Sequence, residues 1–505
     1  IAELETLRAE VPPGLRDVMR IPGLGPKTVR RLWTEIGVES IEDLEARLED
    51  GSVESMSRMG RKTVENLRSS IEFMKSAGDR RRLGDALPIA EELVDRLRAL
   101  DSVRRIEFAG SLRRGRDTIG DIDILVVTDD PAGVGEAFRT QPGVVGVLVG
   151  GETKSSVRMD NGFQVDLRIV PEAAWGAALM YFTGSKEHNV VLRERAIARD
   201  LRLNEYGLFP QPPGEDGPPQ DRGIEPVAAA TEEEIYRHLD LPWIAPELRE
   251  DRGEFDATTP PDLIEVDAIV SELHSHTTAS DGRLSIDELA EAAMARGRRI
   301  LAITDHSRSS AQANGLDEDR LRRHAAAIRE ADARIDGIRL LAGSEVDILA
   351  DGRLDYDDEI LAMLDIVVAS PHVALRQDRD LATKRMCAAA RHPLVTIVGH
   401  PTGRLIPDRK GLDLDIEALV EAALEGGTAL EINANPYRLD LRDSHVRVAV
   451  DAGCRIAINT DAHRAEHLDF LHYGVLTARR GRATTADCIN CLDEEALLEF
   501  IGDRG

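Results

Sequence analysis

Apolar and polar positions follow different periods along the chain, and the chain divides where the period changes. Beyond about residue 268, short apolar runs recur at 299–304, 339–346, 364–370, 394–399, 428–432 and 455–459, separated by helical stretches rich in Ala, Glu and Arg. This strand-then-helix rhythm predicts a mostly parallel sheet or a distorted (β/α) barrel. Between 84 and 250 the pattern is that of a mixed α+β region. Leu87, Ala90, Leu93, Leu97 and Leu100 line one face of a helix over 85–100. Strands follow at 105–109 and 122–127, and a hairpin between 150 and 170 ends in FQVDLRIV at 163–170. Helices are expected at 175–183 and 190–199. The string QPPGEDGPPQDRG at 211–223 predicts a surface loop, and 251–267 has linker composition. We therefore expect a domain boundary near 250–265.

Composition adjusts this picture in few places. A chain of 505 residues exceeds one core and should form roughly three or four domains. The formal charge of −28 argues against a polyanionic partner only on average. Residues 104–116 hold five arginines against one glutamate, so a locally basic phosphate-binding face remains open. Cys387, Cys454, Cys488 and Cys491 show no framework spacing, and the C-x-x-C of the last two has no second pair, so reduced thiols are expected. No apolar run reaches transmembrane length and no signal peptide is seen, which leads us to expect a cytoplasmic protein with no membrane partner. Because the chain starts at Ile1 inside a charged helical pattern, we expect a further segment upstream.

The first candidate chemistry lies at 110–123, GSLRRGRDTIGDID. Residues i and i+2 of a strand share a face, so Asp121 and Asp123 set two carboxylates side by side. Asp166, inside FQVDLRIV, supplies a third. Three convergent carboxylates near arginines and a Gly-Ser turn suit a pair of Mg²⁺ ions bridging the phosphates of a nucleoside triphosphate. The alternative is that Asp121 and Asp123 are solvated residues at a strand edge. Upstream, PGLGPKTVRRLW from Pro22 sets two glycines before an amphipathic helix, with Gly23 and Gly25 amides free to face an anion. It resembles a helix-hairpin-helix, with a weaker copy, MGRKTVENL, at 59–67; the alternative is a Gly-containing helix–helix turn.

The second candidate centre gathers at the ends of the barrel strands: His274 and His276, Asp281, Asp305 with His306, Glu345, His372, His400, and Asp461 with His463. C-terminal strand ends of a barrel meet at one mouth, which gives residues so far apart a reason to converge. Six of the thirteen histidines belong to the set. Mixed imidazole and carboxylate ligands suit Mn²⁺, Zn²⁺ or Fe²⁺, in up to three ions with Glu345 bridging two. Such a cluster points to phosphoester hydrolysis. His324, His392, His445, His467 and His472 are expected to be structural or exposed.

With these motifs in place, the first half resembles the X family of DNA polymerases, with a nucleotidyltransferase palm. The second half is similar to the PHP (polymerase and histidinol phosphatase) domain. The combination resembles the bacterial and archaeal X-family polymerases with a C-terminal PHP domain, across essentially the whole chain. The resemblance implies a helical helix-hairpin-helix region, a palm with a mixed sheet, a nucleotide-selecting subdomain over 175–250 and a PHP barrel. It implies that Asp121, Asp123 and Asp166 hold two Mg²⁺ or Mn²⁺ ions, and that Ser111, Arg114 and Gly120 meet the triphosphate. Tyr181, Phe182 and Gly184 would pack on the nucleotide sugar, and Asn189 would meet the base. Gly23, Gly25, Lys27 and Arg193 would contact DNA. In the PHP domain it implies His274, His276, Glu345 and Asp461 on one ion, Glu345, His372 and His400 on a second, and Asp281, His306 and His463 on a third.

The implied activity is filling of short gaps in gapped or nicked duplex DNA from dNTPs by a monomeric repair enzyme. The PHP domain would add metal-dependent 3′ to 5′ exonuclease action, with 3′-phosphatase or abasic-site endonuclease action as possible additions. Departures from the family pattern are Gln164 where the eukaryotic relatives have an arginine, Lys186 where an aspartate packs on the base, and Glu272 in place of a frequent aspartate, expected to support ligands rather than act as one. The small N-terminal domain of the family is largely absent from this stretch, and no lyase is assigned. The competing expectations are a DNA end-binding protein with a structural PHP domain, and a nucleotidyltransferase or phosphoesterase acting on small substrates.

Overall fold

The computed structural model describes residues 12, 14–19, 21, 24–57, 59–61, 63–65, 67–68, 71, 80–212, 217–256 and 259–502. Contacts divide the chain into two compact units, Ile1–Arg80 with Leu405–Lys410, and Arg81–Arg404 with Gly411–Gly505.

In the first unit, helices Leu15–Met19, Pro26–Ile36, Ile41–Glu49 and Ser52–Ser55 enclose a core that includes Val29, Leu32, Leu44, Val53, Val64 and Leu67. Pro26 opens its helix directly after the extended Gly25, where the N–H that proline lacks has no helical partner to lose. Gly37, in the left-handed region, ends the same helix. The N–H groups of Thr28 and Val29 donate to the carbonyl of Gly25, and those of Thr63 and Val64 donate to that of Gly60. The glycine-led helix start therefore occurs twice, at both strings that carried it in the sequence.

In the second unit, after the short strand Arg81–Arg82, helix Leu83–Arg98 packs on a five-stranded sheet. Its order is Val103–Phe108, Ile122–Thr128, Gln164–Ile169, Lys154–Met159 and Val144–Gly150. Only the pairing of Ile122–Thr128 with Gln164–Ile169 is parallel; the rest are antiparallel, so the sheet is mixed. Val144–Gly150 is an edge strand that the sequence pattern does not separate from its surroundings. Helices Trp175–Thr183, Lys186–Ile197 and Glu232–His238 and the hairpin Leu201–Asn204 with Gly207–Pro210 share a separate core around Leu192, Leu208, Ile235 and Tyr236. Part of the expected 211–223 loop is ordered as a 3-10 turn, Pro219–Arg222, because its prolines suit the first turn of a helix.

One buried ionic cluster ties these helices to the sheet. Glu232 accepts from Arg113 at 2.8 and 3.0 Å and from Arg249 at 2.6 and 3.0 Å. Arg249 is fully buried. Arg113 is thus a structural charge, whose partner lies far along the chain. Burial alone would raise the Glu232 carboxyl, but the pull of Arg249 and the bonds from both arginines hold it well below the usual range. A carboxylate with a depressed folded pKa stabilises fully above its unfolded value of about 4.3 and loses that contribution as pH falls toward the folded value. Glu232→Gln is expected to lower stability at pH 7 by about 3 kcal/mol, read from denaturant midpoints, and to shrink the loss between wild type and variant below pH 4.

The remaining chain, from Ser271, forms seven parallel strands in sequence order: Ser271–Glu272, Ile300–Ile303, Arg339–Asp347, Ile366–Ser370, Ile397–Val398, Ala429–Asn433 and Ile456–Asn459. The ring is completed beyond the last strand by a parallel bridge between Ser275 and Ala462. Side chains alternate between two layers as strand geometry requires. Ile300 and Ala302 join the inner cluster with Leu341, Val368 and Ile397, while Leu301 and Ile303 pack with the outer helices. All four cysteines are free. Among the described residues no helix is long and apolar enough to cross a membrane.

Candidate functional site

Two centres of charge stand out. In the mixed sheet, Asp123 and Asp166 are register partners on adjacent parallel strands, and Asp121 precedes the first strand at its exposed end. Gly110, with φ +62, lies against this group, and a Cβ there would meet Asp123 Oδ2 at 2.7 Å. Only glycine allows that approach together with a left-handed backbone. Burial first, then the charges of Asp121 and Asp166, push the Asp123 carboxyl up to about 7, a shift that a divalent cation among the three would reverse. Asp166 is also buried, but Lys154 Nζ at 2.8 Å and Gln164 Nε2 at 3.0 Å hold its carboxyl below the usual range. The sequence offered no sign of Lys154, which arrives from the neighbouring antiparallel strand. Gln164 faces the carboxylates, as its place in the pattern suggested.

Around this group, Ser111 lies in the short helix Gly110–Arg113, and Gly120 directly precedes Asp121. Arg114 is buried, donating from Nε to Glu250 at 3.1 Å and from Nη1 to the carbonyl of Thr183. Tyr181 and Phe182 are half-buried and meet edge to face at 5.1 Å, with Arg168 over the Phe182 ring. Gly184 lies beside Arg114, since a Cβ would meet Nη1 at 3.2 Å. Asn189 donates to the carbonyl of Tyr181 at 2.8 Å, and Arg193 lies one helical turn further along. In the first unit Gly25 and Lys27 are exposed at a helix start; Gly23 lies outside the described residues.

The second centre fills the mouth of the barrel. His274 and His276 follow the first strand, His306 the second, His372 the fourth and His400 the fifth, while Asp461 and His463 follow the seventh. Glu345 sits within the third strand, among five imidazoles. Its oxygens lie 2.8 Å from His306, 2.9 Å from His400, 3.4 Å from His274 and His372, and 3.7 Å from His276. Three groups bring their ligand atoms within 4.8 Å of one another: His276, Asp281, His306 and His463; His274, His276 and Asp461; and His306, Glu345 and His372. This grouping moves His276 and His306 into two sets each, compared with the partition the resemblance implies. His400 reaches the cluster through Glu345.

Several atoms of this cluster are buried without a hydrogen bond: His274 Nε2, both ring nitrogens of His276, His306 Nδ1, His400 Nδ1 and Asp461 Oδ1. Buried polar atoms left so are costly unless a cation takes them, and the donor set is one that divalent transition metals accept. The residues present therefore fit a metal-dependent site. Burial opposes ionisation of Glu345 and Asp461, yet neighbouring imidazoles hold both carboxyls well below the usual range. Conversely, carboxylates raise His372 to about 10 and His463 to about 9 against burial. His276, whose largest influence is burial, falls to about 4.

Supporting carboxylates surround the ligands, and sequence reasoning missed most of them. His274 Nδ1 donates to Glu431 at 2.8 Å, and the same glutamate accepts from the N–H of His400. His372 Nδ1 donates to Asp347. A charged residue inside an otherwise apolar strand, as in ALEIN, was the available signal for Glu431. Glu272 accepts from Thr460 and from the N–H of His274, a supporting position. Asp305 receives Thr277, Ser280 and His324 and turns away from the ligand groups, which accounts for His324 as well. Glu431→Gln is expected to weaken metal retention about 10- to 100-fold, measured by competition with a chelator, with the barrel still folded.

The chain resembles known proteins along its whole length. Family descriptions match at residues 15–72 (SAM-like helix-hairpin-helix tandem), 178–250 (DNA polymerase beta thumb) and 272–435 (PHP domain). The "DNA polymerase/3'-5' exonuclease PolX" of Bacillus subtilis (strain 168) is 40% identical over 502 residues, covering 98% of this chain and 86% of its own. A "probable phosphatase" of Caldanaerobacter subterraneus subsp. tengcongensis is 32% identical over 206 residues, covering 39% of this chain and 76% of its own. A crystal structure of Leishmania infantum polymerase beta in a ternary P/T complex aligns over 47% of this chain and 98% of its own, at 21% identity and a TM-score of 0.31.

Proposed function

The chain belongs to the X family of DNA polymerases, in the branch with helix-hairpin-helix, polymerase and PHP domains, and from that premise we propose how its two centres divide the work on a DNA 3′ end. It is a DNA polymerase that takes dNTPs and DNA, and its PHP domain is a metal-dependent phosphoesterase and exonuclease. The preferred substrate is a short gap in duplex DNA, and the enzyme acts in repair as a monomer in the cytoplasm, at the nucleoid. The working domains are 1–83, 84–174, 175–250 and 268–505.

The observation that supports the polymerase site most directly is the pairing of Asp123 with Asp166 beside Asp121. These three would hold Mg²⁺ or Mn²⁺, which supplies activation of the primer 3′-hydroxyl and neutralisation of the leaving pyrophosphate. Ser111, Arg114 and Gly120 orient the β and γ phosphates. Tyr181, Phe182 and Gly184 form the surface under the sugar, and Asn189 faces the base. Gly23, Gly25, Lys27 and Arg193 hold the DNA backbone, in the first unit through main-chain amides that are indifferent to sequence. In the barrel, His274, His276, Asp281, His306, Glu345, His372, His400, Asp461 and His463 would hold up to three ions of Mn²⁺, Zn²⁺ or Fe²⁺, to generate a hydrolytic nucleophile. The similarity of this barrel to probable phosphatases favours removal of a 3′-phosphate as a second activity of the same site.

The test is a labelled duplex with a one-nucleotide gap. With Mg²⁺ and dNTPs the primer should grow by one nucleotide, and more efficiently than on an open template. With Mn²⁺ and no dNTP it should shorten from its 3′ end, and a 3′-phosphorylated primer should gain a free hydroxyl. Equal extension of gapped and open templates overturns the gap-filling assignment, and an unshortened primer overturns the exonuclease assignment.

A further inference from the structure

The barrel reaches into the nucleotide site through one side chain. Arg480 ends helix Leu471–Arg480 of the barrel. Its Nη1 donates to the backbone carbonyl of Arg114 at 2.7 Å and lies 3.0 Å from Glu250 Oε1. Its Nε and Nη2 donate to Asp443 at 3.1 and 2.8 Å. The same Glu250 oxygen accepts from Arg114 Nε at 3.1 Å, and the other oxygen lies 3.5 Å from Arg116 Nη1. The side chains of Arg480, Glu250 and Arg114 are only 4%, 9% and 10% exposed. Next to them Gly115 lies against Leu476, where a Cβ would come within 3.2 Å. The turn that carries Arg114 and the barrel helix that carries Arg480 are therefore in direct contact.

Glu250 is shared by three guanidinium groups, and Asp443 by Arg480 and by Arg252 at 2.9 Å. Four arginines thus surround two carboxylates, an excess of positive charge in a largely buried place. Turning the Arg114 guanidinium toward a triphosphate would break its Nε contact with Glu250 and its Nη1 bond to the Thr183 carbonyl, and a buried carboxylate abandoned by its partner is strongly unfavourable. Arg480 removes that obstacle, because it remains on Glu250 after Arg114 has turned away. Without Arg480, Glu250 would keep Arg114 at 3.1 Å and, on its other oxygen, the more exposed Arg116 at 3.5 Å, a longer contact that replaces the pairing less well.

We propose that Arg480, carried by the PHP barrel, is a positioning residue for nucleotidyl transfer: it keeps Glu250 paired so that Arg114 is free to bind the incoming triphosphate. The inference rests on the reading of Arg114 as a triphosphate contact. It gives the hydrolytic domain a part in polymerisation that does not pass through its metal site.

Single-nucleotide gap filling by the full chain tests it, with KM for dNTP and kcat measured separately. Arg480→Gln is expected to raise KM about tenfold with kcat changed less than about twofold, while Mn²⁺-dependent 3′ shortening stays at the wild-type rate and shows that the barrel is folded. Arg480→Lys should recover most of the loss. In a Glu250→Gln background, Arg480→Gln should no longer raise KM, because the carboxylate that traps Arg114 is gone; a general loss of packing would not be rescued in this way. An unchanged KM in Arg480→Gln, or a rise that persists in the Glu250→Gln background, overturns the proposal. Arg114→Ala separates the two layers. If it raises KM and Arg480→Gln does not, only the role of Arg480 falls; if it leaves KM unchanged, the reading of Arg114 falls and the role of Arg480 with it.

Discussion

Replacing Glu345 by Gln is expected to slow Mn²⁺-dependent shortening of DNA 3′ ends by about 10³-fold or more, with gap filling changed less than about twofold. The size follows from position. Glu345 lies within 4 Å of five imidazoles contributed by four other strand ends, so no other single residue touches as much of the cluster. An amide keeps the shape but removes the negative charge that balances those rings, and it brings an N–H₂ donor against nitrogens that must stay free as ligands. Metal content of the purified variant should fall in parallel, read by elemental analysis. A variant that retains its metal and its rate of 3′ shortening would remove Glu345 from the reaction. Thermal unfolding of the metal-free protein provides the control, because an amide in that pocket relieves carboxylate burial even as it loses ion pairs.

Asp123→Asn should have the mirror effect, a loss of about 10³-fold or more in nucleotide insertion with 3′ shortening unchanged. Asp123 is the middle member of its trio, register partner to Asp166 and two residues from Asp121. Burial, and after it the charges of Asp121 and Asp166, drive its carboxyl up to about 7, so the metal-free site carries less than its full negative charge near neutrality. Asparagine removes the charge permanently and so removes the attraction for a divalent cation, while the backbone bond from Ala109 N–H to the Asp123 carbonyl is untouched. The folded state should survive. Extension that continues in this variant would remove the carboxylate trio from the chemistry, and loss of both activities together would point to misfolding instead.

The two centres were legible to different depths. The barrel could be read because its ligands fall at strand ends in a regular rhythm, and closure through Ser275 and Ala462 brings the first and last of them together. The aspartate trio could be read because i and i+2 positions share a face. Glu431, Asp347 and Lys154 could not be read in this way. Each meets its partner across a sheet or ring, and only Glu431, a lone charge inside the apolar run ALEIN, carries a local sign of its role. Val144–Gly150 escaped for a related reason: Val145, Val147, Leu148 and Val149 are all exposed, so this apolar run lacks the alternation that marks a half-buried strand.

By itself the sequence determined the local periods, the helix starts, the imidazoles and carboxylates at strand ends and the family, because these depend on residues close together or on motifs that keep their spacing. Only the tertiary structure decided which imidazoles share an oxygen of Glu345, which carboxylate orients His274, and which charges surround Arg114. Those depend on chain segments that approach through closure of the ring and docking of its helices. Arg113 with Glu232, and Arg480 with Glu250, acquire their meaning from burial, where one carboxylate and its partners are worth far more than in water. Burial is set by the packing of the whole second unit, which no local pattern encodes.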